Sequence, residues 1–142
     1  MRSTKRIGLD HIRDIAHQLA VATMNWDEPI PAFETRFPKV LESCIAAPFQ
    51  TYNRRELYEG LSKKAAVLFY LLVKNHPFQN GNKRIAVTTM LVFLFLNKCW
   101  LKIQPTKLYN LAIWVAQSDS ELKDVVIEGI RELVEKYSVK VS

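Results

Sequence analysis

The chain has 142 residues, 49% of them hydrophobic, which suits one domain with a single core and excludes intrinsic disorder. We therefore expect one domain over residues 1–142. Twenty Lys and Arg stand against 14 Asp and Glu, a formal net charge of +6, and no acidic residue occurs between Glu59 and Asp119. This interval should attract anions, with nucleotide phosphates and nucleic acid as the two sharper interpretations.

The first third of the chain predicts two helices separated by an irregular connection. Apolar residues at spacings of three and four predict an amphipathic helix from Leu9 to Val21. Three prolines between Asn25 and Pro38 predict the connection, because proline fixes φ and removes a donor. A short helix is expected after Pro38, ended by Pro48, and an exposed loop or short strand is expected from Phe49 to Asn53.

The middle of the chain predicts two strongly apolar helices. Asn53 lies three residues before Glu56, as a capping pair would, and Ser62 can cap a helix that runs to Val73. A second apolar helix is expected from Asn82 to Asn97. Because a short polar loop joins the two runs, we expect a central helical hairpin that is buried on most sides.

Two further helices are expected toward the end of the chain. Pro105 fits the first turn of one helix, and Ser118-Asp119-Ser120-Glu121 is a good capping box for the last. The total is about six helices without an internal repeat. The predicted fold class is therefore all-α, a compact bundle-like domain around the central hairpin.

Cysteine usage and hydropathy exclude several classes of protein. Cys44 and Cys99 lie far apart without the spacing of a zinc site or a disulfide framework. The longest apolar segment, Ile85 to Leu96, is shorter than the roughly 18 residues needed to cross a bilayer. No secretory signal is recognisable near the N-terminus. We expect a cytoplasmic protein without a membrane partner.

The loop between the two central helices carries the strongest chemical signal. Gly81 permits close backbone approach, and the N–H groups of Asn82, Lys83 and Arg84 would be unpaired at the start of the following helix. Lys83 and Arg84 add two full charges to this anion nest. A phosphate chain is the anion that best uses so many donors.

Two aromatic side chains of the same loop complete the pattern. His76 could take a proton from an attacking hydroxyl, because a neutral imidazole titrates near working pH. Phe78 is interpreted as the anchor that holds the loop in the core. Spacing alone leaves a second interpretation open, since a loop between helices often contains His, Asn, Gly and Lys for turn and capping reasons.

The segment resembles the signature of the Fic/Doc superfamily, in particular its death-on-curing (Doc) toxins. The family pattern is H-x-F-x-[DE]-[AG]-N-[KG]-R, and eight of its nine positions fit. They are His76, Phe78, Gly81, Asn82, Lys83 and Arg84, with Pro77 and Gln79 at the free positions. The resemblance covers most of residues 40–118.

This resemblance implies a Fic/Doc fold and an enzyme that transfers a phosphate-containing group from a nucleotide to a protein hydroxyl. AMP-transferring members carry Gly and Arg where this chain has Lys83 and Val87, so both positions match the Doc branch. Doc toxins are kinases that use ATP to phosphorylate a threonine of elongation factor Tu, which stops translation. A small antitoxin with a disordered, helix-forming segment blocks them.

Roles carried over by the resemblance fall on the loop and on the segment before the first central helix. His76 is implied as the general base. Gly81, Asn82, Lys83 and Arg84 are implied as the phosphate-binding group, with Lys83 and Arg84 also counted as catalytic. The stretch from Phe49 to Asn53 is implied as the flap that aligns the target chain, and Phe78 supports the motif.

One position departs from the family pattern. Asn80 replaces the metal-binding acid, which removes the charge that a Mg²⁺ site relies on, and no nearby sequence position supplies a substitute. The metal could still be held by nucleotide phosphates, water and the Asn80 carbonyl, with weaker affinity. Three alternatives therefore stay open: a catalytically attenuated nucleotide- or partner-binding protein, an AMP-transferring enzyme, and a nucleic-acid-binding protein. The last is disfavoured because most aromatic residues lie within apolar helices.

Overall fold

The computed structural model describes residues 3–141, which form six helices and two small antiparallel strand pairs. The first helix, α1, covers residues 9–23 and contains one turn of π-helix, Ile12–Ala16, in an otherwise α-helical segment. The others are α2 (Pro38–Ala46), α3 (Leu61–Asn75), α4 (Asn82–Leu96), α5 (Pro105–Gln117) and α6 (Lys123–Tyr137). The predicted all-α class and the expected number of helices are confirmed.

Helices α3 and α4 form the centre of the molecule. Every residue of α4 from Arg84 to Leu94 is buried, because its apolar residues continue around the whole helix. Helix α3 packs against α2 and α6, whereas α4 packs against α1 and α5. The surrounding helices thus cover a hairpin that is apolar on nearly all sides, as the sequence predicts.

Helix α1 lies on α4 through both apolar and polar contacts. Its buried face includes Ile12, Ala16 and Ala20. The hydroxyl of Thr88 on α4 donates a hydrogen bond of 2.8 Å to the carbonyl of Ala16. This buried bond joins residues 72 positions apart in the chain and holds the N-terminal helix against the centre.

A short hairpin precedes α3 and is called the flap below. It consists of β1, Thr51–Tyr52, and β2, Arg55–Glu56. Asn53 and Arg54 have φ values of 52° and 66°, the left-handed conformation that tight hairpin turns require. The expectation that Asn53 caps a helix is therefore wrong.

Two further helix starts differ from the sequence prediction. Helix α3 begins at Leu61 after Gly60, and no side chain caps it, so Ser62 is not its cap. Before α6, the carboxylate of Asp119 accepts a hydrogen bond of 2.9 Å from the N–H of Glu121, within a 3₁₀ turn. The capping signal there marks this extra turn, and α6 follows it.

The second strand pair is absent from the sequence prediction. Strand β3, Cys99–Leu101, pairs antiparallel with β4, Ser138–Lys140, and Trp100 lies opposite Val139. The pair ties the segment after α4 to the segment after α6. Within residues 3–141, none of the helices combines the length and apolar character needed to cross a bilayer.

Candidate active site

The loop between α3 and α4 is closed by the side chain of Asn82. Its Oδ1 accepts a hydrogen bond of 2.9 Å from the N–H of Phe78, and its Nδ2 donates one of 2.8 Å to the Phe78 carbonyl. The amide thus satisfies both backbone groups of one loop residue, as a neighbouring strand would. Because Asn82 also begins α4, this contact fixes the loop relative to the helix start.

Phe78 anchors the loop in the core. Its side chain is buried, and its ring lies 5.9 Å from that of His17 and 6.1 Å from that of Phe33, between ring centroids. The imidazole of His17 is in turn within 2.7 Å of the Pro31 carbonyl. The loop is therefore held from below by α1 and by the proline-rich connection.

The start of α4 presents three backbone N–H groups. The first hydrogen bond of the helix runs from Ile85 to the Gly81 carbonyl, at 2.9 Å, and no side chain caps this end. The N–H groups of Asn82, Lys83 and Arg84 precede that bond and have no partner within the helix. Together with the positive end of the helix dipole they can hold an anion.

His76 stands at the opposite end of the same loop. It ends α3 in the left-handed conformation, with φ 51°, and its side chain is exposed. The Nδ1 of its ring lies 3.4 Å from the Nδ2 of Asn82, near the outer limit of a hydrogen bond. The contact orients the ring and leaves its Nε2 edge open to a target hydroxyl.

Arg84 is placed differently from its neighbours. Only 2% of the residue is exposed, and its guanidinium donates to three backbone carbonyls: Met24 at 3.2 Å, Trp26 at 2.8 Å and Glu28 at 2.6 Å. The sequence pattern puts this side chain among the free phosphate donors, whereas here it holds the loop after α1. Its backbone N–H remains part of the nest.

Lys83 lies beside a small cavity at the start of α4. Asp27, Asn80 and Tyr109 also line this cavity, whose volume is about 30 Å³. That volume admits water but not a nucleotide, so a phosphate group has to sit at the mouth. Lys83 forms no ion pair with any acidic side chain in residues 3–141, which leaves its charge available to such an anion.

The surroundings of Asn80 contain an acid that the sequence does not place there. Its Nδ2 lies 3.3 Å from Oε2 of Glu28 and 3.3 Å from the carbonyl of Pro29. Asp27, the preceding residue, lines the same cavity as Asn80. Although no neighbouring sequence position replaces the missing carboxylate, the fold therefore brings two acids from about fifty residues away. Their only sequence signal is an acidic pair within a proline-rich connection.

These side chains are suitable ligands for Mg²⁺. The divalent ion prefers carboxylate, amide and phosphate oxygens and keeps several waters, so one or two protein ligands suffice when a nucleotide supplies the rest. Residues 3–141 contain no group of three or more His, Cys, Asp or Glu side chains arranged to bind a metal unaided. A metal at this place would accordingly arrive with its nucleotide.

The flap is fixed at its base by a buried lysine that the sequence reading missed. Lys64 of α3 is 1% exposed, and its ammonium donates to the Tyr58 carbonyl and pairs with Glu56 of β2 at 3.1 Å. The far end of the hairpin is open, with Tyr52 71% exposed. The predicted flap segment, Phe49 to Asn53, thus covers the first strand and half of the turn.

Comparison with known proteins identifies the family. The model of the Fic/DOC family matches residues 6–94, which include the flap, the loop and the nest. Toxin Doc of Mycolicibacterium smegmatis is 31% identical over 91 residues, covering 63% of this chain and 70% of that protein. No solved structure matches the chain. The family match spans more than half of the sequence, and the chain therefore belongs to the Fic/Doc family, on its Doc branch.

Proposed function

We propose that this protein is a Doc-type toxin that transfers the γ-phosphate of ATP to a hydroxyl of a protein, with elongation factor Tu as the expected target. One observation carries the proposal. The exposed imidazole of His76 and the unpaired N–H groups at the start of α4 stand at the two ends of one rigid loop. A base and a phosphate-binding nest are thus held in a fixed relation to each other.

The reaction follows from this arrangement. The N–H groups of Asn82, Lys83 and Arg84 bind the phosphates, and the ammonium of Lys83 offsets the negative charge that develops on them. His76 accepts the proton of the target hydroxyl as its oxygen forms a bond to the γ-phosphorus. The bond between that phosphorus and the oxygen of ADP breaks, which yields ADP and a phosphorylated protein.

Mg²⁺ would neutralise phosphate charge when it is bound with ATP. The side-chain oxygen of Asn80 is the family-position ligand available to it. A neutral amide binds this ion less strongly than a carboxylate. Asn80 therefore supports a second candidate, a nucleotide- or partner-binding protein with attenuated transfer.

The partners and the compartment follow from the toxin proposal. A relative named Toxin Doc supports a toxin–antitoxin pair, so we infer a small cognate antitoxin with a disordered segment that folds into a helix on binding. Action on a translation factor requires a cytoplasmic protein. A nucleic-acid partner finds less support, because the cationic Lys83 lies beside an enclosed cavity rather than on a broad groove.

The test is a transfer assay with ATP labelled at the γ-phosphate in one arm and at the α-phosphate in the other. Purified protein is incubated with Mg²⁺ and elongation factor Tu. Label from the γ position that disappears with His76→Ala, and not with His11→Ala as matched control, supports the kinase. Label from the α position instead means AMP transfer.

Absence of transfer with retained nucleotide binding favours the attenuated candidate. In that case Asn80→Asp should switch transfer on, because it returns a carboxylate to the family position. If no nucleotide binds at millimolar ATP, the proposed function is wrong.

A further inference from the structure

The loop after α1 lies directly against the start of α4, and Arg84 holds it there. The three carbonyls that receive the guanidinium belong to alternate residues, Met24, Trp26 and Glu28. Arginine presents several donors in a rigid planar fork, so one side chain can fix several backbone groups at once. Residues 24–28 are therefore held in one conformation beside the nest.

Contacts on the other side of the loop confirm how closely it packs. A Cβ added to Gly81 would lie 2.9 Å from Cγ1 of Ile30, so the loop touches the backbone where α4 begins. Asp27 has φ 70°, which a residue with a side chain adopts only when its surroundings require it. This conformation places Asp27 in the wall of the cavity beside Asn80 and Lys83.

Glu28 reaches position 80 itself. Its carboxylate accepts a hydrogen bond of 3.3 Å from the Asn80 amide, the group that stands where the family pattern has an acid. A simple structural role for the two acids would be pairing with nearby cations. Neither Asp27 nor Glu28 forms an ion pair within residues 3–141, although Lys83 lines the same cavity as Asp27.

We propose that Glu28, together with Asp27, supplies the carboxylate that position 80 lacks and binds the Mg²⁺ of a magnesium–nucleotide complex at the start of α4. The inference rests on the proposed function, since the nucleotide phosphates provide the remaining ligands. Asn80 contributes its amide oxygen and keeps Glu28 in place. The charge that a hard cation needs is thus moved from the motif to a loop about fifty residues earlier.

Binding of Mn²⁺ and ADP tests the proposal without a measurement of transfer. Mn²⁺ replaces Mg²⁺ as a paramagnetic probe, and its affinity for the protein–ADP complex is measured by electron paramagnetic resonance. Glu28→Gln should weaken this affinity about tenfold, and Asp27→Asn should weaken it less. Glu34→Gln, an exposed acid on the neighbouring turn, is the matched control and should leave the affinity unchanged.

A second variant separates metal binding from maintenance of the loop. Asn80→Asp in the Glu28→Gln background returns a carboxylate to the site and should restore Mn²⁺ affinity to within about threefold of the original, since ligand charge dominates binding of this ion. The proposal is overturned if Glu28→Gln keeps the original affinity. It is also overturned if the double variant stays weak while its thermal unfolding midpoint falls.

The same titrations distinguish failure of this inference from failure of the proposed function. Calorimetry of ADP binding is run with Mg²⁺ and again with EDTA. If ADP binds equally well in both, the metal site is wrong and the phosphate nest stands. If ADP binds in neither, the proposed function itself is wrong.

Discussion

Replacement of Arg84 by alanine should lower stability strongly even when no nucleotide is present. The guanidinium holds three carbonyls of the loop after α1, one in a buried bond and two in partly buried ones. An acceptor left unsatisfied in the interior costs about 1–3 kcal/mol, and acceptors that regain water cost less, so we expect a total of about 3 kcal/mol. At about 3–4 °C per kcal/mol for a chain of this size, the thermal midpoint should fall by about 10 °C.

The measurement is thermal and urea unfolding followed by circular dichroism, with ligand-free protein. Arg84→Lys keeps the charge, but one ammonium cannot reach three carbonyls, so this variant should lie between alanine and the original. Lys83→Ala is the matched control and should change stability by less than about 0.5 kcal/mol. If Arg84→Ala unfolds with the same midpoint as Lys83→Ala, the guanidinium does not hold the loop, and the reasoning above is wrong.

Three further predictions concern other parts of the molecule. Lys64→Met should cost about 1–3 kcal/mol and speed deuterium exchange in the flap, because it leaves a carbonyl unpaired; unchanged exchange would contradict the tether. Arg131 and then Lys63 lower the pKa of Glu128 to about 2, against an ordinary value of 4.5. The stability lost in Glu128→Gln should therefore be seen above about pH 4.5 and vanish as the pH falls towards 2 in thermal melts. Burial raises the pKa of the Cys44 thiol to about 11, so iodoacetamide at pH 8 should leave it unmodified in the folded protein, as peptide mass spectrometry can check.

The helices could be predicted from the sequence because their residues carry the information locally. The apolar runs from Ala65 to Val73 and from Ile85 to Leu96 can be buried only in the centre of a helical domain, and the structure places them there. Pro105 likewise marks the first turn of α5. Strands β3 and β4 could not be predicted, because three residues are too few for alternation and their pairing depends on segments about forty residues apart.

The candidate site divides along the same line. His76, Gly81 and the N–H groups of the nest lie within one short segment, so spacing alone locates them. The partners of Arg84 and of Asn80 come from residues 24–29, and no local pattern shows that a side chain will meet a carbonyl 56–60 positions earlier. The acids near position 80 were missed for this reason, since only packing of α1 against α4 brings them there.

The bonds from Arg84 and Thr88 to the N-terminal region also bear on the order of folding during synthesis. Residues 16–28 leave the ribosome long before the helix that they contact, so α1 and its loop have no partner until most of α4 has emerged. Contacts of such separation close a long loop of chain and form late in folding. A growing chain of fewer than about ninety residues therefore has neither a fixed loop nor a complete nest.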